Sequence, residues 1–263
     1  MDSTALGFGL TGTLDVNIIR ALAPKVEAAG FKTLWINDTP GGDSLAGLAT
    51  AAEVTTTLQL GSGVVPLDRR PPAEIICRME SLRLPQDRLI LGVGSGSAQP
   101  ALQLVRDGIR ELQSGLESRV VVGALGPKMR KLGAVESSGL LLNWLTPDAA
   151  RIVTEEMLED THAAGSERAS ITLYVRVALG DLAGDRLRAE ADRYGRIKGY
   201  AANFARLGID GIQASVSGSD AAELQKGLSA YAGTVDEIVV RAVTANDQLH
   251  EFEELLKTVS FPS

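Results

Sequence analysis

The stretch from Gly61 to Ser97, GSGVVPLDRRPPAEIICRMESLRLPQDRLILGVGSGS, sets a helix between two apolar runs that each break off in glycine. The first run, Leu58 to Val65, is interrupted by Gly61, Ser62 and Gly63, and a glycine inside a strand marks a bulge or a close approach of backbone to a ligand. The second, Leu89 to Val93, opens into Gly94-Ser95-Gly96-Ser97. Between them Pro71 and Pro72 occupy a first helical turn, where a missing N–H is harmless, and Ile75, Ile76, Met79 and Leu82 follow at helical spacing. Apolar strands joined by a helix belong to a parallel sheet, in which ligands meet the loops at the carboxyl ends of the strands. Both glycine clusters lie at such ends.

The same alternation runs through the chain. Leu6–Leu10, Thr33–Asn37, Arg119–Gly123, Gly139–Asn143, Ile171–Leu179 and Glu237–Val243 read as further strands. Helical segments separate them: one capped by Asp15 and ended by Gly30, one from Ser44 to Val54, one from Leu102 to Leu116, one entered through Gly126-Pro127, and one capped by Thr146 that runs to Ala164. Asp185 to Leu207 is helical with a break near Gly195 to Gly199, and Gly211–Val216 is either a connector or a short edge strand. Asp220 with Glu223 reads as a capping box, and Thr244 as the cap of the last helix. Eight repeats without a linker predict a (β/α)8 TIM barrel, a single domain over residues 1–263, rather than an open sheet. The strand carboxyl ends then offer Gly9 to Gly12, Asp38-Thr39, Ser62-Gly63-Val64, Ser95-Gly96-Ser97, Ala124 to Lys128, Asn143-Trp144, Arg176 and Arg241.

Charge and composition exclude several classes of function. With 26 basic against 33 acidic residues and a net charge of −7, the chain is unsuited to general binding of nucleic acid or anionic membranes. The single cysteine, Cys77, falls in the apolar pattern of a helix and reads as a small buried hydrophobe, so no disulfide framework or cysteine metal site is available. The two histidines, His162 and His250, lie in polar helical stretches, which leaves neither a catalytic triad nor a histidine metal site. Gly92-Val93-Gly94-Ser95-Gly96 puts serine in the wrong place for a nucleophile elbow. The amino terminus has no leader pattern, and no run approaches the roughly 18 apolar residues of a membrane span, so a cytoplasmic protein is expected.

Arg176 and Arg241 stand inside apolar strands, where an unpaired charge is costly. Each needs either a carboxylate, such as Asp38 or Glu53, or an anionic ligand at the barrel mouth. Arg69, Arg70, Lys128 and Arg130 are further basic residues near loop ends. Gly7-Phe8-Gly9-Leu10-Thr11-Gly12 is a literal G-x-G-x-x-G with Asp38 at the end of the next strand, which keeps an NAD-binding Rossmann dehydrogenase as an alternative. Its first two glycines fall inside the strand rather than after it.

The fragments AAGFKTLWIND, LQLGSGVVPLDRRPPAEI, RLILGVGSGS, GALGPKMRKLG, GLLLNWLTPDAARIV, YAANFARLGI and DEIVVRAVTA, in this order, resemble the luciferase-like flavin and deazaflavin oxidoreductases, in particular the branch that uses coenzyme F420. The resemblance implies a (β/α)8 barrel, in this chain with shortened insertions. It also implies that a ring is held against a bulge after the third strand with a non-prolyl cis peptide at Gly63-Val64. Strand ends and resemblance together give a cofactor-binding set of Asp38, Ser62, Gly63, Val64, Ser95, Gly96, Gly126, Lys128, Asn143, Arg176 and Arg241. Thr39 and Ser97 stand where relatives that oxidise sugar phosphates or alcohols carry histidine and glutamate. That departure argues against sugar-phosphate dehydrogenase activity and leaves only these two hydroxyls as catalytic candidates.

The segments after the fourth and seventh strands are short, which leaves the site open or completed by a partner subunit, as in a homodimer. Because the cofactor carries the chemistry of hydride transfer, such a site can still work. The expected activity is hydride transfer between reduced F420 and a small organic substrate. An FMN-dependent monooxygenase and a non-catalytic cofactor-binding paralogue are the alternatives.

Overall fold

The computed structural model describes residues 4–260. Each strand pairs in parallel with the next, from β1 (Ala5–Thr11) through β2 (Thr33–Asn37), β3 (Gln59–Pro66), β4 (Leu89–Gly94), β5 (Arg119–Gly123) and β6 (Gly139–Asn143) to β7 (Ser170–Leu179). A short β8 (Ser215–Gly218) lies beside the end of β7, and β9 (Glu237–Val243) joins β7 to β1 and closes the ring. Eight strands therefore form a closed (β/α)8 barrel. β8 is the extra one: β6 pairs with Ser170–Tyr174 of β7, and β8 takes over along Arg176–Leu179. The ambiguous segment before it resolves into a 3-10 turn at Ile212–Ala214 followed by this edge strand. Closure removes the open sheet that a Rossmann reading of the first glycines requires.

The helices surround the barrel in chain order: α1 (Val16–Ala28), α2 (Ser44–Ala52), α3 (Pro72–Ser81), α4 (Ala101–Gly115), α5 (Pro127–Glu136), α6 (Pro147–Ala164), α7 (Asp181–Gly195), α8 (Lys198–Leu207), α9 (Ala221–Ser229) and α10 (Leu249–Val259). Asp15 and Thr146 cap α1 and α6 as expected, accepting from the backbone N–H of Asn17 and Ala149. Asp220 caps α9, but the Glu223 side chain accepts from Ser219 rather than returning to its own cap. The expected cap at Thr244 is corrected. Its hydroxyl pairs with Asp247, and α10 begins later behind a capping box made by Gln248 and Glu251. The expected break in the seventh helix lies at Arg196-Ile197, between α7 and α8.

Cys77 is likewise corrected, because it is exposed. Ile75 and Met79 carry the buried face of α3. A residue two positions from each of them is turned to the opposite side of the helix. His162 and His250 are exposed, as expected. Among the described residues no helix is long and apolar enough to cross a membrane, and no cluster of metal-ligating side chains occurs.

Inside the barrel Trp35, Ile90, Val121, Leu141, Tyr174 and Val239 form a closed apolar layer. Trp35 fits because Gly61 faces it; a side chain there would begin 2.3 Å from the indole. Toward the amino ends of the strands the Trp35 Nε1–H donates to Glu237 Oε1 at 2.9 Å, and Glu237 is 4% exposed. Burial pushes the Glu237 carboxyl above its ordinary value, with the Trp35 hydrogen bond opposing. A group whose folded pKa is raised loses stability as pH climbs from its unfolded value toward the folded one. Glu237→Gln, which keeps an acceptor for Trp35, is therefore expected to raise the urea midpoint at pH 7 and to leave it nearly unchanged at pH 4. Denaturation curves at the two pH values check the sign.

Candidate functional site

The β3–β4 ladder slips at the carboxyl end of β3. Ser62 pairs with Leu91 and Val65 with Val93, so Gly63 and Val64 together stand opposite Gly92. This is a β-bulge, which re-aims the side chain at its crest. The Gly63–Val64 peptide is cis. Ser62 holds the bulge to β4, its Oγ accepting from the Gly92 N–H at 2.9 Å and donating to the Gly92 carbonyl at 3.3 Å. The Val64 side chain turns inward onto glycine. A Cβ at Gly94 or Gly123 would meet its methyls at 3.1 or 2.9 Å.

In front of the bulge lies a cavity of about 830 Å³, a size suited to a small-molecule ligand. Asn37, Asp38 and Thr39 from the end of β2 form one wall, and Gly94 to Ser97 from β4 form another. The ends of β5 and β6 contribute Gly123 to Leu125 and Asn143, while Tyr194, Lys198 and Tyr200 from the α7–α8 junction border the opening. The links that follow β4 and β7 are short: Ser95–Pro100 precedes α4, and Gly180 alone precedes α7.

Of the candidate cofactor residues, Asp38, Gly63, Val64, Ser95, Gly96 and Asn143 line this cavity, and so do Thr39 and Ser97. Asp38 also ties three elements together. Its carboxylate accepts from the Ser44 hydroxyl at 2.9 Å and from Arg69 at 3.1 Å. Ser97 donates from both N–H and Oγ to Asp68, at 2.7 and 2.8 Å. Burial would raise the Asp68 carboxyl, but these donors hold it below its ordinary value. Of the two candidate hydroxyls, Ser97 is thus committed to Asp68, whereas Thr39 Oγ1 is buried without a partner.

Ser62, Gly126, Lys128, Arg176 and Arg241 lie off the cavity wall. Ser62 is buried behind the bulge, Gly126 caps α5, and Lys128 is exposed in its first turn. Arg176 is 1% exposed and fully engaged. Its Nε donates to Glu190 at 2.8 Å and its Nη1 to Asn143 Oδ1 at 2.5 Å, and the guanidinium lies 3.6 Å over the Trp144 ring. The partner is a carboxylate rather than a ligand, but neither Asp38 nor Glu53 supplies it. Glu53 instead pairs with Arg20 at 2.7 Å, on the outside of the barrel. Arg241, next to Arg176 across the β7–β9 ladder, donates to the Ala242 carbonyl and makes no ion pair among the described residues. Burial pushes its pKa down, with Glu190 pulling the other way. Two of the other loop-end basic residues are paired with carboxylates: Arg70 with Asp43 at 3.6 Å, Arg130 with Glu156 at 2.9 Å.

The cavity also brings in residues that the sequence reading did not select: Asn37, Tyr174, Tyr194, Lys198 and Tyr200. Tyr174 was accessible to the period-2 rule, since it shares the inward face of β7 with Arg176 two residues on. Its hydroxyl and Asn37 Oδ1 are buried and unpartnered. Burial drives the Tyr174 pKa far above the ordinary phenol range, and that of Tyr200 up to about 12.

Residues 3–114, which carry the bulge and the serine turn after β4, match the family model for luciferase-like monooxygenases. Solved structures match along the whole chain. An F420-dependent secondary alcohol dehydrogenase in complex with an F420-acetone adduct superposes with a TM-score of 0.76 at 14% identity, covering 97% of this chain and 99% of that one. At this identity the likeness to this barrel is one of fold. The coenzyme F420 dependent tetrahydromethanopterin reductase from Methanopyrus kandleri matches it at TM-score 0.70 and 16% identity, over 98% of this chain and 97% of that one. The oxygenating constituent of 3,6-diketocamphane monooxygenase from Pseudomonas putida, in complex with FMN, gives TM-score 0.70 at 15% identity, with 97% of each chain covered. Solved structures of this fold thus include proteins described with F420 and with FMN.

Proposed function

We propose that this barrel is a luciferase-like, coenzyme F420-dependent oxidoreductase that passes a hydride between the reduced deazaflavin and a small organic substrate. The observation that carries the reading is the bulge. Val64 is seated on a glycine cradle that any Cβ would fill, and this surface forms the floor of a cavity of about 830 Å³. The unpartnered atoms of Asn37, Thr39 and Tyr174 give the same cavity polar capacity that no protein group uses. A planar ring with a polar edge fits that donor set.

Gly63, Val64, Ser95, Gly96 and Asn143 would hold the cofactor, with Ser62 acting through the bulge and Asp38 through the walls it ties together. Lys198, in the first turn of α8 at the opening, suits the acidic groups of a deazaflavin cofactor. Arg241 lies off the cavity wall but makes no ion pair among the described residues, which makes it our candidate cation for an anionic group of the ligand. Bound, the deazaflavin supplies the hydride. The barrel's own work is to position the substrate, to keep water from the reacting face and to offer the Thr39 hydroxyl to the acceptor.

Titration of the protein with oxidised F420 and with FMN, followed by cofactor fluorescence, tests the reading. Saturable F420 binding and turnover of an acceptor panel with reduced F420 are expected. Binding of FMN alone transfers the assignment to a flavin monooxygenase. F420 binding without turnover of any acceptor identifies a cofactor binder.

A further inference from the structure

Among the described residues seven buried side-chain polar atoms lack a hydrogen-bond partner, and three of them, Asn37 Oδ1, Thr39 Oγ1 and Tyr174 OH, belong to residues lining the cavity in front of the bulge. A buried hydroxyl without a partner destabilises the protein that carries it, so its place against a ligand-sized cavity points to a partner from outside the chain. Tyr174 is 2% exposed and is braced edge-on by Trp35, with ring centroids 6.0 Å apart. Its hydroxyl abuts Gly63, where a Cβ would lie 2.3 Å away. The ring cannot turn aside, and only the O–H rotates. Ionisation of the phenol is suppressed by burial, with Arg241, Glu237 and Arg176 as the charges that act on it, so Tyr174 is a neutral donor. Asn37, on the inner face of β2, presents an acceptor oxygen to the same cavity.

We infer that Tyr174 and Asn37 read the polar edge of the bound ring: the Tyr174 hydroxyl donates to a ring carbonyl, and Asn37 Oδ1 accepts from the neighbouring ring N–H. A carbonyl beside an N–H is the imide edge of a pyrimidinedione, which flavins and deazaflavins share. The inference rests on the reading of the cavity as a flavin or deazaflavin site. It makes this pair the element that selects an imide-bearing ring over an apolar aromatic of the same size.

The test measures F420 and FMN binding by fluorescence for wild type, Tyr174→Phe and Asn37→Leu, with thermal midpoints taken in the absence of cofactor. Tyr174→Phe should bind the wild type's cofactor about 3- to 10-fold more weakly, the worth of one neutral hydrogen bond. The same change should raise the cofactor-free midpoint, because an unpartnered hydroxyl is removed. Wild type should prefer its cofactor to the N3-methyl derivative, which lacks the ring N–H, and Asn37→Leu should lose that preference. Unchanged affinity in Tyr174→Phe, or equal wild-type affinity for the methylated and unmethylated rings, overturns the inference while leaving the cofactor assignment standing. Failure of wild type to bind either F420 or FMN overturns both.

Discussion

Arg176→Met is expected to cost about 3–5 kcal/mol of folding stability, the penalty for removing one partner of a buried ion pair. The Glu190 side chain is 14% exposed and that of Arg176 1%, so the orphaned carboxylate has little access to water. The loss extends beyond Glu190. Asn143 Oδ1 loses its donor, and Trp144, whose backbone holds a positive φ of 55°, loses the guanidinium packed over its ring. Arg176→Met combined with Glu190→Leu should recover most of the stability, because the charge left unpaired is then removed as well. Urea midpoints of the three proteins measure this.

The pH dependence has a definite sign. Burial works to raise the Glu190 carboxyl, but Arg176 and Arg241 hold it below its ordinary value. A depressed carboxylate contributes stability above its unfolded pKa and loses it as pH falls through the folded one. Wild type should therefore lose more stability than Arg176→Met between pH 5 and pH 3. If Arg176 served a ligand instead, the variant would keep the wild-type midpoint and lose cofactor affinity. The two outcomes are separable in one set of samples.

Sequence reasoning reached the requirement for this pair but not its identity. A charge in the middle of YVRVA demands a partner, and that is a local statement. Which carboxylate supplies it depends on how α7 returns over the barrel mouth, and the polar pattern of Asp181–Gly195 looks like that of a solvated helix. The same limit accounts for the cavity's outer wall. Gly195 and Gly199 announced a break, but only the packing of α7 against α8 brings Tyr194, Lys198 and Tyr200 to the opening.

The strand ends were legible because glycine there has a direct steric meaning, and Gly63, Gly94 and Gly123 all converge on one bulge. Tyr174 is not legible, for the opposite reason. In an apolar strand a tyrosine reads as core, and nothing local reveals that its hydroxyl lacks a partner. Cys77 is not legible in the same way, because Ile75 and Ile76 are adjacent apolar residues and the sequence does not say which of them marks the buried side of α3.

Gly63→Ala should reduce cofactor affinity at least about tenfold, equivalent to about 1.4 kcal/mol, and destabilise the protein by about 1–3 kcal/mol. Gly63 is not among the glycines with positive φ, so alanine meets no backbone objection there. The objection is spatial. The new methyl would lie 2.3 Å from the Tyr174 hydroxyl and 2.9 Å from its Cζ, and Trp35 blocks the ring's retreat. Either the bulge or the tyrosine must move, and both belong to the floor of the cavity. Gly126→Ala is the matched control, because a Cβ there meets nothing within 4 Å, and stability should change by no more than about 0.5 kcal/mol. Pairing Gly63→Ala with Tyr174→Leu relieves the contact, so the midpoint should recover while affinity does not, since the double variant lacks both the undistorted floor and the hydroxyl donor. Wild-type affinity in Gly63→Ala would mean that the bulge is not where the ring rests, and the cofactor would then have to be sought nearer Lys198 and the α7–α8 junction.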